Sequence, residues 1–186
     1  MDTPPRRKQR RTFNEPGHAH ALTFSCVGRR PLLSSDRSRN WFIRSLDAAR
    51  RKLDFAVWAY VVMPEHVHLV VKPRRETYRV AHVLAAVKRP VAAEAKRFLI
   101  ESGNAEWLER LTVTEGGAPV FRFWLPGGGY DQNLWNVGPV RRVIDYVHEN
   151  PVRRGLVPNA VDWWWSSARW WAGLKDGPFE PDPLDW

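Results

Sequence analysis

Two nearly unbroken apolar runs dominate the chain, FAVWAYVVM at 55–63 and HVHLVVKP at 66–73, separated only by Pro64 and Glu65. Apolar runs of that length, bounded by a turn signal, read as strands. Proline suits the first corner of a turn, so 55–73 is expected to form a hairpin. HALTFSCVG at 20–28 reads as an earlier strand. Between it and the hairpin, Trp41, Phe42, Leu46, Ala49 and Leu53 recur at helical spacing, which predicts a helix over 34–54 with Ser35 or Asp36 as N-cap. A second helix is expected over 77–102, kinked or broken at Pro90. APVFRFW at 118–124 is the remaining candidate for a fourth strand, and PGGGYDQN after it reads as a flexible loop. In GPVRRVIDYVHEN, Val140, Val143, Ile144 and Val147 follow the i, i+3, i+4, i+7 rule, the core stripe of another helix with Pro139 near its start and Pro151 at its end. The Trp-dense stretch VDWWWSSARWWAGL is expected to hold a last short helix capped by Ser166.

The order of strand, helix, two strands, helix, strand and further helix predicts an α+β fold. It is the ferredoxin-like arrangement, a four-stranded antiparallel sheet with helices packed on one face, followed here by a Trp-rich helical extension. The long apolar runs suit the central strands. A basic arm expected to be disordered (1–17), one domain (18–175) and a short tail (176–186) complete the organisation, with no internal repeat.

Composition narrows the partners. The chain has 186 residues and a formal net charge of +9, which favours a polyanion, most simply nucleic acid. A ribosomal or anionic membrane surface would demand the same charge. A single cysteine, Cys26, excludes an internal disulfide, and any zinc site would lean on histidine and carboxylate. No apolar run approaches the length of a membrane span, and no apolar stretch follows the basic start MDTPPRRKQRR, so a cytoplasmic protein is expected.

The candidate chemistry begins inside the hairpin. His66 and His68 point to one face of a strand, about 6.5–7 Å apart along it, close enough for both rings to reach one metal ion. Val67, Leu69 and Val71 take the other face. Two strand histidines can also simply be hydrogen-bonded at a sheet end, but an otherwise apolar central strand is a costly place for unpartnered polar rings. GHAH holds a second pair, His18 and His20, expected to be solvent-exposed with no metal role; His82 and His148 read as helix surface. On the last long helix, Tyr146 and Asn150 are four apart, neighbours on one shoulder of the core stripe. A boundary tyrosine and a helix-ending asparagine are common as well. Asn150 precedes Pro151, which disfavours helical backbone there, so Asn150 is expected at the very end of the helix and slightly displaced.

The segments VVMPEHVHLVV, IDYVHENPVRRGLV and DWWWSSARWW together resemble the REP-associated tyrosine transposases, of the single-tyrosine HUH superfamily (His, a hydrophobic residue, His). The resemblance spans 18–172 in matching order and spacing. It implies that His66 and His68 bind a divalent metal, Mg²⁺ or Mn²⁺, that Asn150 completes the metal site, and that Tyr146 is the nucleophile. It implies cutting and rejoining of single-stranded or hairpin DNA through a 5′-phosphotyrosine link, by a monomer or a dimer, cytoplasmic and nucleoid-associated. Imidazole ligands favour Mn²⁺ in vitro. Tryptophan at 163, 164, 165, 170 and 171 and the PGGGYDQNLW loop depart from the family pattern, which leaves the recognised DNA sequence open. Candidate phosphate contacts are Arg6, Arg7, Lys8, Arg10, Arg11, Arg141, Arg142, Arg153 and Arg154. Trp170 and Trp171 either stack on unpaired bases or pack in the core. A binding protein that kept the fold without turnover is the competing function, and an RNA-binding module of the same fold leaves the histidines unexplained.

Overall fold

The computed structural model describes residues 14–186. A four-stranded sheet has the order β2-β3-β1-β6, built from β1 (Ala19–Ser25), β2 (Phe55–Val62), β3 (His66–Pro73) and β6 (Tyr130–Leu134). Every neighbouring pair is antiparallel. A separate two-stranded hairpin joins β4 (Thr112–Glu115) and β5 (Ala118–Phe121).

The helices lie on both faces of the sheet, where a single helical layer was expected. α1 (Asp36–Leu53) and α2 (Val80–Glu101) pack on Leu22, Phe24, Val67, Leu69 and Val71, and a short α3 (Ala105–Arg110) follows α2. α4 (Val137–Arg153) lays Val140, Ile144 and Val147 on Ala19, Ala21, Val70 and Leu134, the alternate side chains of the same strands. Side chains alternate across a strand, so these are opposite faces. That explains why β2 is apolar at every position: all eight of its residues are buried. A bulge between Val57 and Ala59 inserts Trp58 and flips the parity of β2. Phe55 and Val57 before it, and Tyr60 and Val62 after it, therefore share the α1/α2 face.

The helix expectations hold with small shifts. Ser35 caps α1 by accepting from the Ser38 N–H. Pro90 lies inside α2, which runs through it without ending. The fourth strand is a correction. It is Tyr130–Leu134, which overlaps the stretch read as a flexible loop (126–133), while APVF pairs with β4 away from the main sheet. The apolar pattern at 118–124 reflects Phe123 and Trp124, which are buried against the α1/α2 side. β6 is an edge strand with one fully buried residue, Leu134, so it carries no alternation to read. Gly129 admits it: at φ +71, a Cβ there would lie 2.0 Å from the Thr23 carbonyl oxygen, a clash that only glycine avoids.

β2 is the other edge, and an exposed edge strand invites pairing with other chains. The C-terminal segment covers it. Val62 N–H donates to Trp165 O, Ser167 N–H to Tyr60 O, Trp171 Nε1 to Trp58 O and Asp182 N–H to Val57 O. Residues 176–186 are thus part of the fold and not a free tail. α5 (Ala168–Trp171) begins after Ser167, and Ser166 Oγ accepts from the Ala168 N–H. Asp182 is the fastening point: its carboxylate accepts from Val57 N–H at 2.8 Å, Arg50 at 3.0 Å and Arg74 at 3.1 Å. Asp182→Ala is expected to lower unfolding stability by about 2 kcal/mol, the scale of lost charge-assisted hydrogen bonds. An unchanged denaturation midpoint in urea would remove Asp182 from that role.

Candidate active site

β3 and α4 bring four side chains together beneath one end of the sheet. His66 and His68 face α4 from β3, as the alternation requires, with Thr23 of β1 directly across from His68. The two imidazoles converge: His66 Nε2 and His68 Nε2 are 3.0 Å apart. Each ring is held by its other nitrogen. Thr23 Oγ1 lies 2.7 Å from His68 Nδ1, and Glu65 Oε1 lies 3.2 Å from His66 Nδ1. In the tautomer that carries both protons on Nδ1, both Nε2 lone pairs face one point. Two lone pairs at that separation need a proton or a cation between them, and nitrogens bound about 2.1 Å from a common ion span a comparable distance.

Burial pushes both rings below the ordinary histidine range. His68 falls to about 4, with the neighbouring His66 adding to the effect and a hydrogen bond with the Asn150 side chain opposing it. His66 is lowered chiefly by burial, opposed by the Glu65 carboxylate. Neutral imidazole is the ligating form, so this environment keeps both rings competent at neutral pH.

Asn150 is buried and fixed by its own helix. Pro151 lies inside α4 and has no N–H to reach Val147 O, the carbonyl four residues back. Asn150 Nδ2 turns to that gap, 3.4 Å from Val147 O and 2.8 Å from Tyr146 O. The amide nitrogen is thereby spent on the helix, and the oxygen is the group left to face His68. α4 continues past Asn150 to Arg153, and Arg154 N–H donates to Asn150 O at 3.1 Å. The expected displacement of Asn150 at a helix end therefore does not occur.

Tyr146 stands one turn earlier, 46% exposed, with its ring 5.9 Å from that of His68 and perpendicular to it. The Arg153 guanidinium sits 4.8 Å over the same ring. A cavity of about 560 Å³ opens between the sheet and α4, lined by Thr23, His68, Tyr130, Gln132, Arg142 and Tyr146 among others. His68 and Tyr146 meet there among apolar side chains from β1, β3 and α4, and Arg142 supplies positive charge.

The other candidates divide. Arg141 and Arg142 are exposed on α4, Arg142 at the cavity. Arg154 is engaged by Glu65 at 2.8 Å, so it serves the interior of the site first. Trp171 is held by its bond to Trp58 O, and Trp170 Nε1 donates to Glu180 at 3.3 Å, which ties both into the C-terminal packing. Arg6, Arg7, Lys8, Arg10 and Arg11 lie outside the described residues. His20, expected to be exposed, is fully buried between Asp131 at 2.8 Å and the Tyr78 hydroxyl at 2.7 Å, pinning β6 and the approach to α2. His148, expected at the surface, is buried on α4 and bonds Ser167 Oγ at 2.8 Å. Sequence reasoning missed Thr23 and Glu65 as partners of the two histidines. Glu65 is adjacent to His66 and was visible in principle; Thr23 becomes a partner only through the β1–β3 register.

The comparisons bear on this arrangement. No family model matches the chain. A Haemophilus influenzae protein named as a REP-associated tyrosine transposase is 28% identical over 136 residues, covering 71% of this chain and 66% of that relative, a little under two thirds of its length. A solved structure described as a REP-associated tyrosine transposase bound to a REP hairpin superposes with a TM-score of 0.65 at 19% identity, over 97% of this chain and 95% of that one. The chain is thus similar to REP-associated tyrosine transposases, in sequence to the first protein and in fold to the second. It shares the α+β fold of that structure over nearly its whole length, and two of its segments, VVMPEHVHLVV and IDYVHENPVRRGLV, fold together into the His66, His68, Tyr146 and Asn150 cluster. Among the described residues no helix is long and apolar enough to cross a membrane.

Proposed function

We propose that the chain is a transposase-type enzyme that nicks and rejoins single-stranded DNA, acting on hairpin-forming strands, with Tyr146 as nucleophile. The observation that carries this reading is the placement of the Tyr146 ring beside His68, whose Nε2 converges with that of His66 at 3.0 Å. The phenol oxygen attacks a backbone phosphorus, an O–P bond forms, and the bond to the 3′ oxygen breaks. The proton lost by the phenol balances the one gained by the released 3′-hydroxyl. The product is a 5′-phosphotyrosine, and a 3′-hydroxyl from another end reverses the step, so joining needs no nucleotide cofactor.

His66, His68 and the Asn150 oxygen form an open donor set for Mg²⁺ or Mn²⁺. Among the described residues no three His, Cys, Asp or Glu side chains converge on one point, so an amide oxygen is the third donor available to the two imidazoles. Such an ion would offset charge on the phosphate oxygens as the phenol oxygen attacks. Thr23 and Glu65 keep the rings aimed, and Arg142 and Arg153 supply positive charge where the phosphate enters. Incubation with single-stranded hairpins taken from the DNA flanking the gene, with Mn²⁺, should give a nicked strand and a slow-migrating protein–DNA adduct on a denaturing gel. Tight binding with neither product would favour the competing reading, a hairpin-binding protein without turnover.

The net charge of +9 makes the interface salt-sensitive. Affinity for single-stranded DNA should fall with a log–log slope of roughly −0.7 per phosphate contacted. Filter binding or anisotropy between low and physiological salt measures it, and a flat dependence would contradict a phosphate-dominated interface. Deletion of residues 1–12 should reduce the slope if the basic arm follows the phosphates.

A further inference from the structure

Glu65 occupies the turn between β2 and β3 yet is 8% exposed, an unusual place to bury a carboxylate. Its backbone is fixed on both sides: Cys26 N–H donates to Glu65 O at 2.8 Å, and Leu33 N–H to Pro64 O at 2.8 Å. A buried carboxylate is costly unless it is paired and hydrogen-bonded. Both of its partners belong to the candidate site. One is His66 Nδ1, at 3.2 Å; the other is the Arg154 guanidinium, at 2.8 Å, both on the same Oε1 atom. Arg154 directly follows α4 and donates its N–H to Asn150 O. One carboxylate therefore touches the start of the histidine strand and the end of the tyrosine helix.

We propose that Glu65 is a positioning residue with two actions, fixing the His66 ring so that Nε2 faces the metal position and latching α4 to β3 through Arg154. The proposal rests on the reading of His66, His68 and Asn150 as a metal site. An imidazole whose Nδ1–H is held by a carboxylate presents Nε2 as a pure acceptor in one orientation. Without the latch, Tyr146 and Asn150 ride on a helix whose C-terminal end has lost its ionic tie to the strand that carries the histidines. Thr23 performs only the first action, for His68, and has no link to α4 among its described bonds.

The two actions separate by substitution. Glu65→Leu removes both, Glu65→Gln keeps an oxygen acceptor for His66 without the charge, and Arg154→Met cuts the latch alone. The first measurement is Mn²⁺ binding to the DNA-free protein by calorimetry, with circular dichroism to establish that each variant is folded. Glu65→Leu should weaken Mn²⁺ binding about 10–100-fold, the range for losing an outer partner of a ligating histidine, and Glu65→Gln should recover most of that loss. Arg154→Met should weaken Mn²⁺ binding less than Glu65→Leu does, because both histidines stay aimed and only Asn150 is loosened, and should form the tyrosine–DNA adduct more slowly at saturating DNA. Wild-type Mn²⁺ affinity in folded Glu65→Leu, or a Glu65→Gln variant as impaired as Glu65→Leu, overturns the first action. Wild-type adduct kinetics in Arg154→Met overturn the second. If the unaltered protein binds Mn²⁺ yet forms no adduct with any hairpin, the nicking reading fails while the Mn²⁺ comparison still decides the role of Glu65 toward His66.

Discussion

Tyr146→Phe should abolish strand cleavage and the covalent protein–DNA adduct together, while Mn²⁺ binding persists. The substitution deletes one oxygen and leaves the ring that packs beside His68 and under Arg153. The other tyrosines are placed differently. Tyr60 is fully buried with its hydroxyl on Phe179 O, and burial pushes its ionisation far above the usual range. The Tyr78 hydroxyl is shared between His20 and Glu15 O, and its pKa is raised to about 12, chiefly by burial. Tyr130 is the real competitor. It is held on β6, not mobile as its three preceding glycines suggested, and it lines the same cavity. It lies across from Thr23, on the far side of that residue from His68, and its hydroxyl donates to Gln132 at 3.2 Å. Tyr130→Phe should therefore retain the adduct.

His66→Ala and His68→Ala should each reduce cleavage by about 10²–10³ or more, the scale of losing a group that stabilises charge only in the transition state. Single-stranded DNA affinity should largely survive, because Arg141, Arg142 and Arg153 stay exposed on α4 in both variants. The two variants are not equivalent in their structural effects. His68 is bonded to Thr23 across β1, so its loss also frees a sheet partner, whereas His66 leaves Glu65 with Arg154. Cleavage that persists in the double alanine variant in the presence of EDTA would contradict a metal-assisted site.

What could be read from the sequence, and what could not, follows from how local each feature is. The β2–β3 hairpin, the faces of His66 and His68 and the stripe of α4 are set by residues within a turn or two of one another, so periodicity revealed them. β6 could not be read that way, because YDQNL becomes a strand through pairing with β1 and through the glycine that clears Thr23. The second helical layer was hidden in plain view: FAVWAYVV has no polar face because α4 covers the side that a one-layered fold would leave to water. His20 looked exposed because its partners, Asp131 and Tyr78, are distant in the chain. Asn150 before Pro151 looked like a helix end, yet the missing proline N–H is what gives the amide nitrogen its partner. The four candidate side chains were named from pattern and resemblance. The nitrogen-by-nitrogen anchoring of the two rings required the register.

The most direct measurement is to trap the covalent complex with a flanking hairpin, digest it and map the modified peptide by mass spectrometry. A phosphate ester on Tyr146, in the peptide that also holds Asn150, is the predicted result. An ester on Tyr130 or any other residue, or strand cleavage with no covalent intermediate, would contradict the account.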